Sequence, residues 1–330
     1  MKKVYLLAMI MMIMAIFIVG CSVPKVGLLK GTPNPLKEYT LEGTGADKIL
    51  LIAVNGVISD KPKKGLIIES PSLVEQVVVQ LNKAKKDRQI KAVLFKINSP
   101  GGTITASDIL YNEILSYRKK TGNKMVVSMM DVAASGAYYM SLPADMIVAH
   151  PTTVTGSVGV ISLQPKFKGL MDKIGVGVDV QKTGKYKDMG SPYRDTADDE
   201  KKLLQKAMDS FGGRFIDLVK KHRKLSTQAL TEVSTARIFL ADEALQCGLV
   251  DRIGYIGDAV EEAKKLAKLS EEARVIVYRR AEFPEDNYYN IAGSFSEHLN
   301  ISLVNLELPE ILNSRAGFYY LWPGAISVER

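Results

Sequence analysis

Short runs of apolar, often β-branched residues alternate along most of the chain with longer segments whose apolar positions recur at helical spacing. The short runs predict strands over residues 49–54, 92–97, 125–130, 146–149, 176–181 and 275–278. The longer segments predict helices over residues 73–84, 106–117, 197–219, 241–250 and 257–269. Strands that alternate with helices favour a largely parallel sheet covered by helices, so the chain is predicted to be an α/β protein.

Residues 1–20 depart from this pattern. Lys2 and Lys3 are followed by an apolar run over residues 4–19, and no acidic residue occurs there. The run is shorter than the roughly 20 residues that span a bilayer, and a basic start before a short apolar stretch is typical of a signal peptide. It ends in Ile18-Val19-Gly20-Cys21, which resembles the bacterial lipobox, in which the chain is cut before the cysteine and that cysteine carries lipid.

An uncleaved helical anchor and a soluble secreted form are the alternatives to lipidation of Cys21. If Cys21 carries lipid, or if residues 1–20 stay as an uncleaved helical anchor, the chain is attached to membrane lipids. We therefore expect the folded part to lie on the extracytoplasmic side of a bacterial cell membrane.

The sequence divides into four regions. Residues 1–20 form the targeting segment, and residues 21–47, rich in Gly, Pro and Thr, are predicted to be a stalk linker. Residues 48–280 are expected to form a single folded domain, since no sequence block recurs at a fixed period. Residues 281–330, the C-terminal segment, carry scattered aromatic residues, and we expect them to pack on the domain or on a neighbouring subunit.

Composition narrows the function classes. Hydrophobic residues make up 46% of the chain, which excludes a disordered chain or a multi-span membrane protein. The 44 basic residues exceed the 36 acidic ones, giving a net charge of +8, but a domain outside the cytoplasm does not meet nucleic acid. Two cysteines and three histidines argue against a disulfide framework and a zinc site. No metal and no cofactor are expected.

Asn98-Ser99-Pro100-Gly101-Gly102 follows one predicted strand and precedes a predicted helix. Sites in open α/β sheets lie at the carboxyl ends of strands, and two glycines let peptide N–H groups approach a ligand closely. The motif is suited to binding an oxyanion, although a turn with purely conformational requirements has the same sequence.

Ser135 lies in Ala133-Ala134-Ser135-Gly136-Ala137, also between a predicted strand and a predicted helical stretch. A hydroxyl among small residues at such a turn is accessible to a peptide and can act as a nucleophile. The alternative is that Ser135 only caps the helix.

A serine nucleophile needs a base. The histidines are poor candidates, because His150 ends a strand, His222 lies in a basic run and His298 lies in the C-terminal segment. A lysine, whose ordinary pKa is near 10.4, can serve if burial or like charges favour its neutral form.

Lys187 follows Tyr186, with Lys182, Lys185 and Arg194 nearby in the sequence. We expect these cations to favour the neutral amine, although a solvated basic loop is the alternative. Ser157, in a glycine turn over residues 155–159, adds a hydroxyl that can orient such an amine.

These four motifs, in this order, resemble the signal peptide peptidase A family over about residues 48–270, in its short single-domain form. The resemblance implies a spiral α/β fold of the Clp protease/crotonase type. It implies Ser135 as nucleophile, Lys187 as general base rather than Lys185, and Ser157 as the group that orients Lys187. The implied oxyanion hole consists of the N–H groups of Gly102, assisted by Gly101, and Ser135.

The resemblance also implies substrates and an assembly. The substrates would be remnant signal peptides and other unfolded apolar peptides. In short-form members the serine and lysine of one site come from neighbouring subunits of a ring-like octamer, so a homo-oligomer is expected. The alternatives are a crotonase-like acyl-CoA enzyme and a non-catalytic, membrane-associated peptide-binding scaffold of the same fold.

Overall fold

The computed structural model describes residues 35–64, 69–280, 282–283, 286–290 and 317–325. Residues from Leu36 onward form one compact unit, and all contacts described below lie within it. The predicted targeting segment and Cys21 lie outside the described residues. Among the described helices, none is both long and apolar enough to cross a membrane.

The unit is built of strands and helices that alternate through most of its length. The strands are β1 Lys37–Glu42, β2 Lys48–Asn55, β3 Lys63–Lys64, β4 Glu69–Ser70, β5 Ile90–Ser99, β6 Gly101–Thr103, β7 Lys124–Ala134, β8 Met146–Ala149, β9 Val154–Gly156, β10 Ile161–Leu163, β11 Ile238–Leu240, β12 Arg252–Ile253, β13 Arg274–Arg279 and β14 Gly317–Leu321. The helices are α1 Leu73–Ala84, α2 Ile104–Thr121, α3 Gly136–Ser141, α4 Lys168–Ile174, α5 Asp198–His222, α6 Thr227–Val233, α7 Ala241–Gln246 and α8 Ile256–Ala267, with a 3-10 turn at Pro323–Ala325.

One large sheet forms the centre, in the order β1-β13-β2-β5-β7-β8-β12. The neighbours from β13 to β12 run parallel, whereas β1 pairs antiparallel with β13. The far end of β7 also pairs with β9, which in turn pairs with β11. This arrangement confirms the predicted α/β class.

Helices cover both faces of this sheet. Leu50 and Ile52 of β2 face a core shared with α1, α2, α3 and α5, while Ile49 and Leu51 of the same strand face α8. A strand buried on both faces is almost continuously apolar, and this is why β2, β5 and β7 could be recognised as strands.

Most predicted elements are confirmed, with three corrections. The predicted strand over residues 176–181 is wrong: these residues form no strand, and Val176, Val178 and Val180 are about half exposed. The pattern of alternating valines is typical of a strand, but no strand among the described residues pairs with it. The helix predicted over residues 241–250 ends at Gln246.

The third correction concerns the predicted stalk linker, residues 21–47. Lys37–Glu42 is the edge strand β1, held by its pairing with Arg274–Arg279. The sheet therefore begins before the predicted domain start at Lys48. β1 is polar and largely exposed, so it lacks the apolar run that identified the central strands.

Part of the C-terminal segment packs on the domain. Strand β14 lies between β6 and β10 in a separate three-stranded antiparallel sheet.

Candidate active site

Ser135 stands where β7 ends and α3 begins. β7 stays in register with β5 up to the pair Ile97 and Met129, but the next pair is Ser99 and Ala133. β7 therefore carries a bulge, after which its end pairs with β9. Bulges re-aim the side chains that follow them, and here the residue that follows is Ser135.

The backbone of Ser135 is strained. Its φ of 54° and ψ of −116° lie outside the regions that non-glycine residues favour, at a cost of about 1–3 kcal/mol. The side chain is 1% exposed, and Oγ has no hydrogen-bond partner among the described residues. Its side chain makes no capping bond to α3 either, which argues against the helix-cap interpretation. Strain and an unpartnered buried hydroxyl are characteristic of a reactive group.

The glycine turn beside Ser135 leaves no room for side chains. Gly101 has φ +98°, and a Cβ there would collide with the Tyr320 carbonyl oxygen. A Cβ on Gly102 would collide with the Ile58 carbonyl oxygen. Both positions therefore require glycine, because the backbones of Tyr320 and Ile58 approach the turn too closely for a side chain.

Two of the predicted oxyanion donors are already used. The Ser135 N–H donates to the Gly156 carbonyl at 2.8 Å, and the Gly101 N–H donates to Ser99 Oγ at 3.1 Å. The prediction that Ser135 and Gly101 supply N–H groups to the oxyanion hole is therefore wrong for this backbone conformation. The positive φ of Ser135 turns its N–H toward β9 instead of toward the turn.

Gly102 and Gly136 provide the remaining donors. The Gly136 N–H has no acceptor among the described residues, and a Cβ on Gly136 would lie 3.1 Å from the Gly102 nitrogen and 3.0 Å from the Tyr320 oxygen. The two N–H groups and that carbonyl oxygen thus come together within one small region. Gly136 was not among the predicted donors, because the direction of these N–H groups depends on the backbone angles of Ser135.

Strand β14 lies across this region as an extended peptide. Tyr320 is opposite Gly102 and Leu321 is opposite Gly101, and the Trp322 N–H donates to the Pro100 carbonyl at 2.9 Å. In this antiparallel register the Gly102 N–H faces the Tyr320 carbonyl. A peptide carbonyl of the chain itself therefore occupies the place between the two glycine N–H groups.

The Tyr320 side chain fills an aromatic pocket beneath the turn. Its ring stacks on Tyr139 with centroids 5.0 Å apart and lies 4.9 Å from the Phe215 ring. Its hydroxyl donates to the Phe211 carbonyl at 2.8 Å, and burial raises the pKa of Tyr320 to about 12. The pocket accepts a large ring with one polar tip.

Ser157 adjoins Ser135 across β9. Gly156, whose carbonyl binds the Ser135 N–H, is the residue before Ser157, and Ser157 itself has φ +49°. Its N–H donates to the Arg237 carbonyl at 2.8 Å, which fixes the turn. Ser157 is mostly buried, with 9% exposure.

Lys187 and Ser135 of one chain do not hydrogen-bond to each other. Lys187 lies in the connection between α4 and α5, residues 175–197, here called the lysine segment. Its side chain is exposed and makes no hydrogen bond or ion pair with a described residue. The described residues of a single chain thus bring together Ser135, Ser157, Gly102 and Gly136, but not Lys187.

The cations around Lys187 are neutralised by carboxylates. Lys182 pairs with Asp188 at 2.6 Å, and Lys185 pairs with Asp199 at 2.5 Å. These contacts contradict the expectation that Lys182 and Lys185 act as unpaired positive charges near the base. The Asp199 carboxylate and the Tyr186 hydroxyl raise the pKa of Lys185, which makes it a poor competitor as base.

The histidines lie apart from Ser135. His150 is bonded to Thr152, and His222 shares a 2.8 Å hydrogen bond with the Tyr111 hydroxyl. Burial and the neighbouring Lys221 lower the pKa of His222. His298 lies outside the described residues.

Comparison with known proteins identifies the relatives of this chain. A model of peptidase family S49 matches residues 117–270. The chain is 38% identical to an Enterococcus faecium protein described as a signal peptide peptidase SppA, over 74% of this chain and 71% of that protein. It is 34% identical to a protease of Methanocaldococcus jannaschii, over 82% of this chain and 85% of that protein. A ClpP1 mutant from Listeria monocytogenes superposes with a TM-score of 0.42 at 19% identity, covering 64% of this chain and 94% of that one.

Proposed function

The chain belongs to peptidase family S49 and is a serine peptidase, and we propose that it cleaves peptides with Ser135 as nucleophile and Lys187 as general base. The observation that carries this proposal is the strained, buried and unpartnered Ser135 hydroxyl beside the N–H groups of Gly102 and Gly136. A helix cap or a structural turn needs neither the strain nor the unpartnered hydroxyl.

The proposed reaction proceeds through an acyl-enzyme. Neutral Lys187 takes the Ser135 hydroxyl proton as Oγ attacks the peptide carbonyl carbon. The N–H groups of Gly102 and Gly136 donate to the oxyanion. The carbon–nitrogen bond then breaks, and the Lys187 ammonium gives its proton to the leaving amine. Water attacks the ester, with Lys187 again as base, and frees Ser135.

We assign Lys187 to a neighbouring subunit and Ser157 to the role of orienting its amine. Lys187 is exposed and makes no hydrogen bond with Ser135 of its own chain, whereas Ser157 follows Gly156, whose carbonyl accepts the Ser135 N–H. Apolar side chains near the lysine segment are also exposed, which fits an interface between copies of this chain: Phe167, Leu170, Ile174, Val176, Val178 and Val180. The proposed assembly is a ring-like octamer.

Substrates are proposed to bind as an extended strand between β6 and β10. Strand β14 already pairs with both in this way, and it presents one carbonyl to the glycine N–H groups. An extended, unfolded peptide can replace β14 by strand addition. The aromatic lining contributed by Tyr139 and Phe215 favours apolar peptides, such as remnant signal peptides, with a large residue at the Tyr320 position.

We further propose attachment of the peptidase to the outer side of the bacterial membrane through residues 1–20 or a lipid on Cys21. This rests on the basic and apolar pattern of the amino terminus. The intact mass of the membrane-extracted protein tests it, because a retained Met1 contradicts lipid processing.

A fluorophosphonate probe tests the nucleophile. The probe is expected to label wild-type protein on Ser135 and to leave Ser135→Ala unlabelled and inactive toward a fluorogenic peptide. Ser128→Ala is the matched control, since Ser128 is also buried on β7 but lies on the strand away from the turn. Labelling of a different serine, or cleavage retained by Ser135→Ala, contradicts the assignment.

A further inference from the structure

One arginine fixes the lysine segment through its whole guanidinium group. Arg194 donates from Nε and Nη2 to the two carboxylate oxygens of Asp188 at 2.8 and 2.9 Å. Nη2 also donates to the Asp188 carbonyl at 3.2 Å, and Nη1 donates to Glu200 Oε2 at 2.8 Å and to the Asp195 carbonyl at 2.9 Å. Only the planar fork of arginine can hold two carboxylates in this way. Asp188, which accepts three hydrogen bonds from Arg194, directly follows Lys187.

Each carboxylate of this network is bound by a cation other than Lys187. Asp188 is bound by Arg194 and by Lys182, and Glu200, which is 3% exposed, is bound by Arg194. Asp199 is bound by Lys185 and accepts a hydrogen bond from the Tyr186 hydroxyl at 3.0 Å. The other charged side chains in or next to the segment are Lys166, which donates to the Ser191 carbonyl, the exposed Lys173, Asp179 and Asp195, and the pairs Lys168–Asp172 and Lys201–Asp198.

The ion pairs and hydrogen bonds of these carboxylates favour the ionised form of Asp188, Asp199 and Glu200 and lower the pKa of each. The hydrogen bonds from Arg194 and Lys182 hold the pKa of Asp188 far below its usual range, and those from Lys185 and Tyr186 lower the pKa of Asp199 to about 2. Asp188 directly follows Lys187 in the chain, so an anionic Asp188 without its partners would be available to pair with the Lys187 ammonium. A lysine paired with a carboxylate keeps its proton and cannot act as a general base.

We propose that Arg194 is a positioning residue that, together with Lys182, occupies the Asp188 carboxylate and so keeps Lys187 without an acidic partner. The proposal rests on the assignment of Lys187 as the base. It gives the basic residues around Lys187 a role different from direct repulsion of its proton: they bind the acids that would otherwise hold that proton in place.

The pH dependence of kcat/KM in the full-length Arg194→Gln enzyme tests this role. Activity of a lysine base rises with pH as the ammonium loses its proton, and a newly available carboxylate moves that rise to higher pH by about one unit or more. We therefore expect kcat/KM near neutral pH to fall about tenfold or more, while activity at the alkaline plateau is mostly retained.

The double variant Arg194→Gln/Asp188→Asn provides the rescue. It removes the carboxylate that Arg194 no longer occupies, so the rise in activity is expected to return toward the wild-type pH. Arg194→Lys, which keeps the charge but not the fork, is expected to lie between wild type and Arg194→Gln. It also serves as the second variant if Arg194→Gln does not fold or assemble.

Two results overturn the proposal. One is a lower plateau with an unmoved pH profile in Arg194→Gln, or in Arg194→Lys if the first variant does not fold. The other is a double variant whose rise in kcat/KM stays at a higher pH than that of the wild type. Lys187→Ala measured alongside separates this failure from that of the proposed function. Activity retained by Lys187→Ala defeats the Ser–Lys assignment, whereas an inactive Lys187→Ala with an unmoved Arg194→Gln profile defeats only the role of Arg194.

Discussion

The end of β7, with Ser135, and the lysine segment, with Lys187, are held in different ways. Ser135 is 1% exposed, and the residues around it, such as Ala134, Ala137 and Tyr138, are fully buried. The lysine segment is exposed along most of its length, and within the described structure the preceding helix α4 buries none of its residues. It is held by ion pairs and hydrogen bonds around Asp188 rather than by a core.

The two regions differ in whether the packing of a single chain can hold their conformation. Packing on all sides is what maintains a strained backbone such as that of Ser135, because the surrounding structure must determine it. A segment with exposed valines and an exposed lysine lacks that support, and it is suited to be completed by contact with a second copy. We therefore expect the conformation around Ser135 to persist in a monomer, and the position of Lys187 to depend on assembly with a second copy of the chain.

Removal of the exposed Lys187 side chain is expected to have the largest effect on kcat. Lys187→Ala deletes the only proposed base, and loss of such a group costs about 10³-fold or more in kcat. Lys173→Ala, an exposed lysine of the neighbouring helix α4, is the matched control and should keep wild-type activity. Steady-state cleavage of a fluorogenic peptide measures both, and a Lys187→Ala enzyme within tenfold of wild type contradicts the comparison.

Distortion of the buried glycine turn beside Ser135 is expected to have the second-largest effect on kcat. Gly102→Ala places a Cβ against the Ile58 carbonyl and displaces one N–H of the oxyanion hole, with an expected loss of about 10²–10³-fold in kcat. Gly213→Ala is the control, because no atom lies near its added Cβ and alanine is the better helix former. If the two variants have equal kcat, Gly102 is not a donor.

Tyr320→Ala tests the strand that lies in the groove. The side chain is fully buried, so its loss is expected to lower the free energy of unfolding by about 3–5 kcal/mol. Because β14 then competes less well with added peptide, KM is expected to fall several-fold while kcat stays similar. Tyr289→Ala, which truncates a tyrosine 65% exposed, is the control. A raised KM, with the fold intact, means that β14 does not occupy the substrate groove.

The smallest effect is expected from removal of the ion pair between Lys185 and Asp199. Lys185 lowers the pKa of Asp199 to about 2, so this pair contributes stability above the ordinary aspartate pKa near 3.9, and the contribution is lost as pH falls toward 2. Asp199→Asn should therefore lower Tm slightly at pH 6, and the difference from wild type should narrow as pH falls below 4. A difference that stays constant with pH rules out the ion pair as its cause.

The central strands and the position of Ser135 could be predicted from the sequence because both depend on local patterns. Apolar runs define β2, β5 and β7, and small residues around Ser135 define the turn. The oxyanion donors could not be predicted in full. The choice between the N–H groups of Ser135 and Gly136 depends on the positive φ of Ser135, which directs its N–H to Gly156.

Elements that depend on distant partners were also missed. β14 forms only because residues 317–321 meet β6 and β10, far away in the chain, and its aromatic residues carry no strand pattern of their own. The valines over residues 176–181 show the converse. They have the pattern of a strand, but pattern alone does not supply a neighbour with which to pair.

A mixing experiment tests most directly whether two chains share one site. Ser135→Ala and Lys187→Ala subunits, each inactive alone and carrying different affinity tags, are unfolded, mixed and refolded, and doubly tagged assemblies are isolated. If Ser135 of one subunit works with Lys187 of its neighbour, some sites in the mixed assembly combine both intact residues, and substantial peptidase activity returns. Doubly tagged assemblies as inactive as the two parents would show that both residues must come from the same chain.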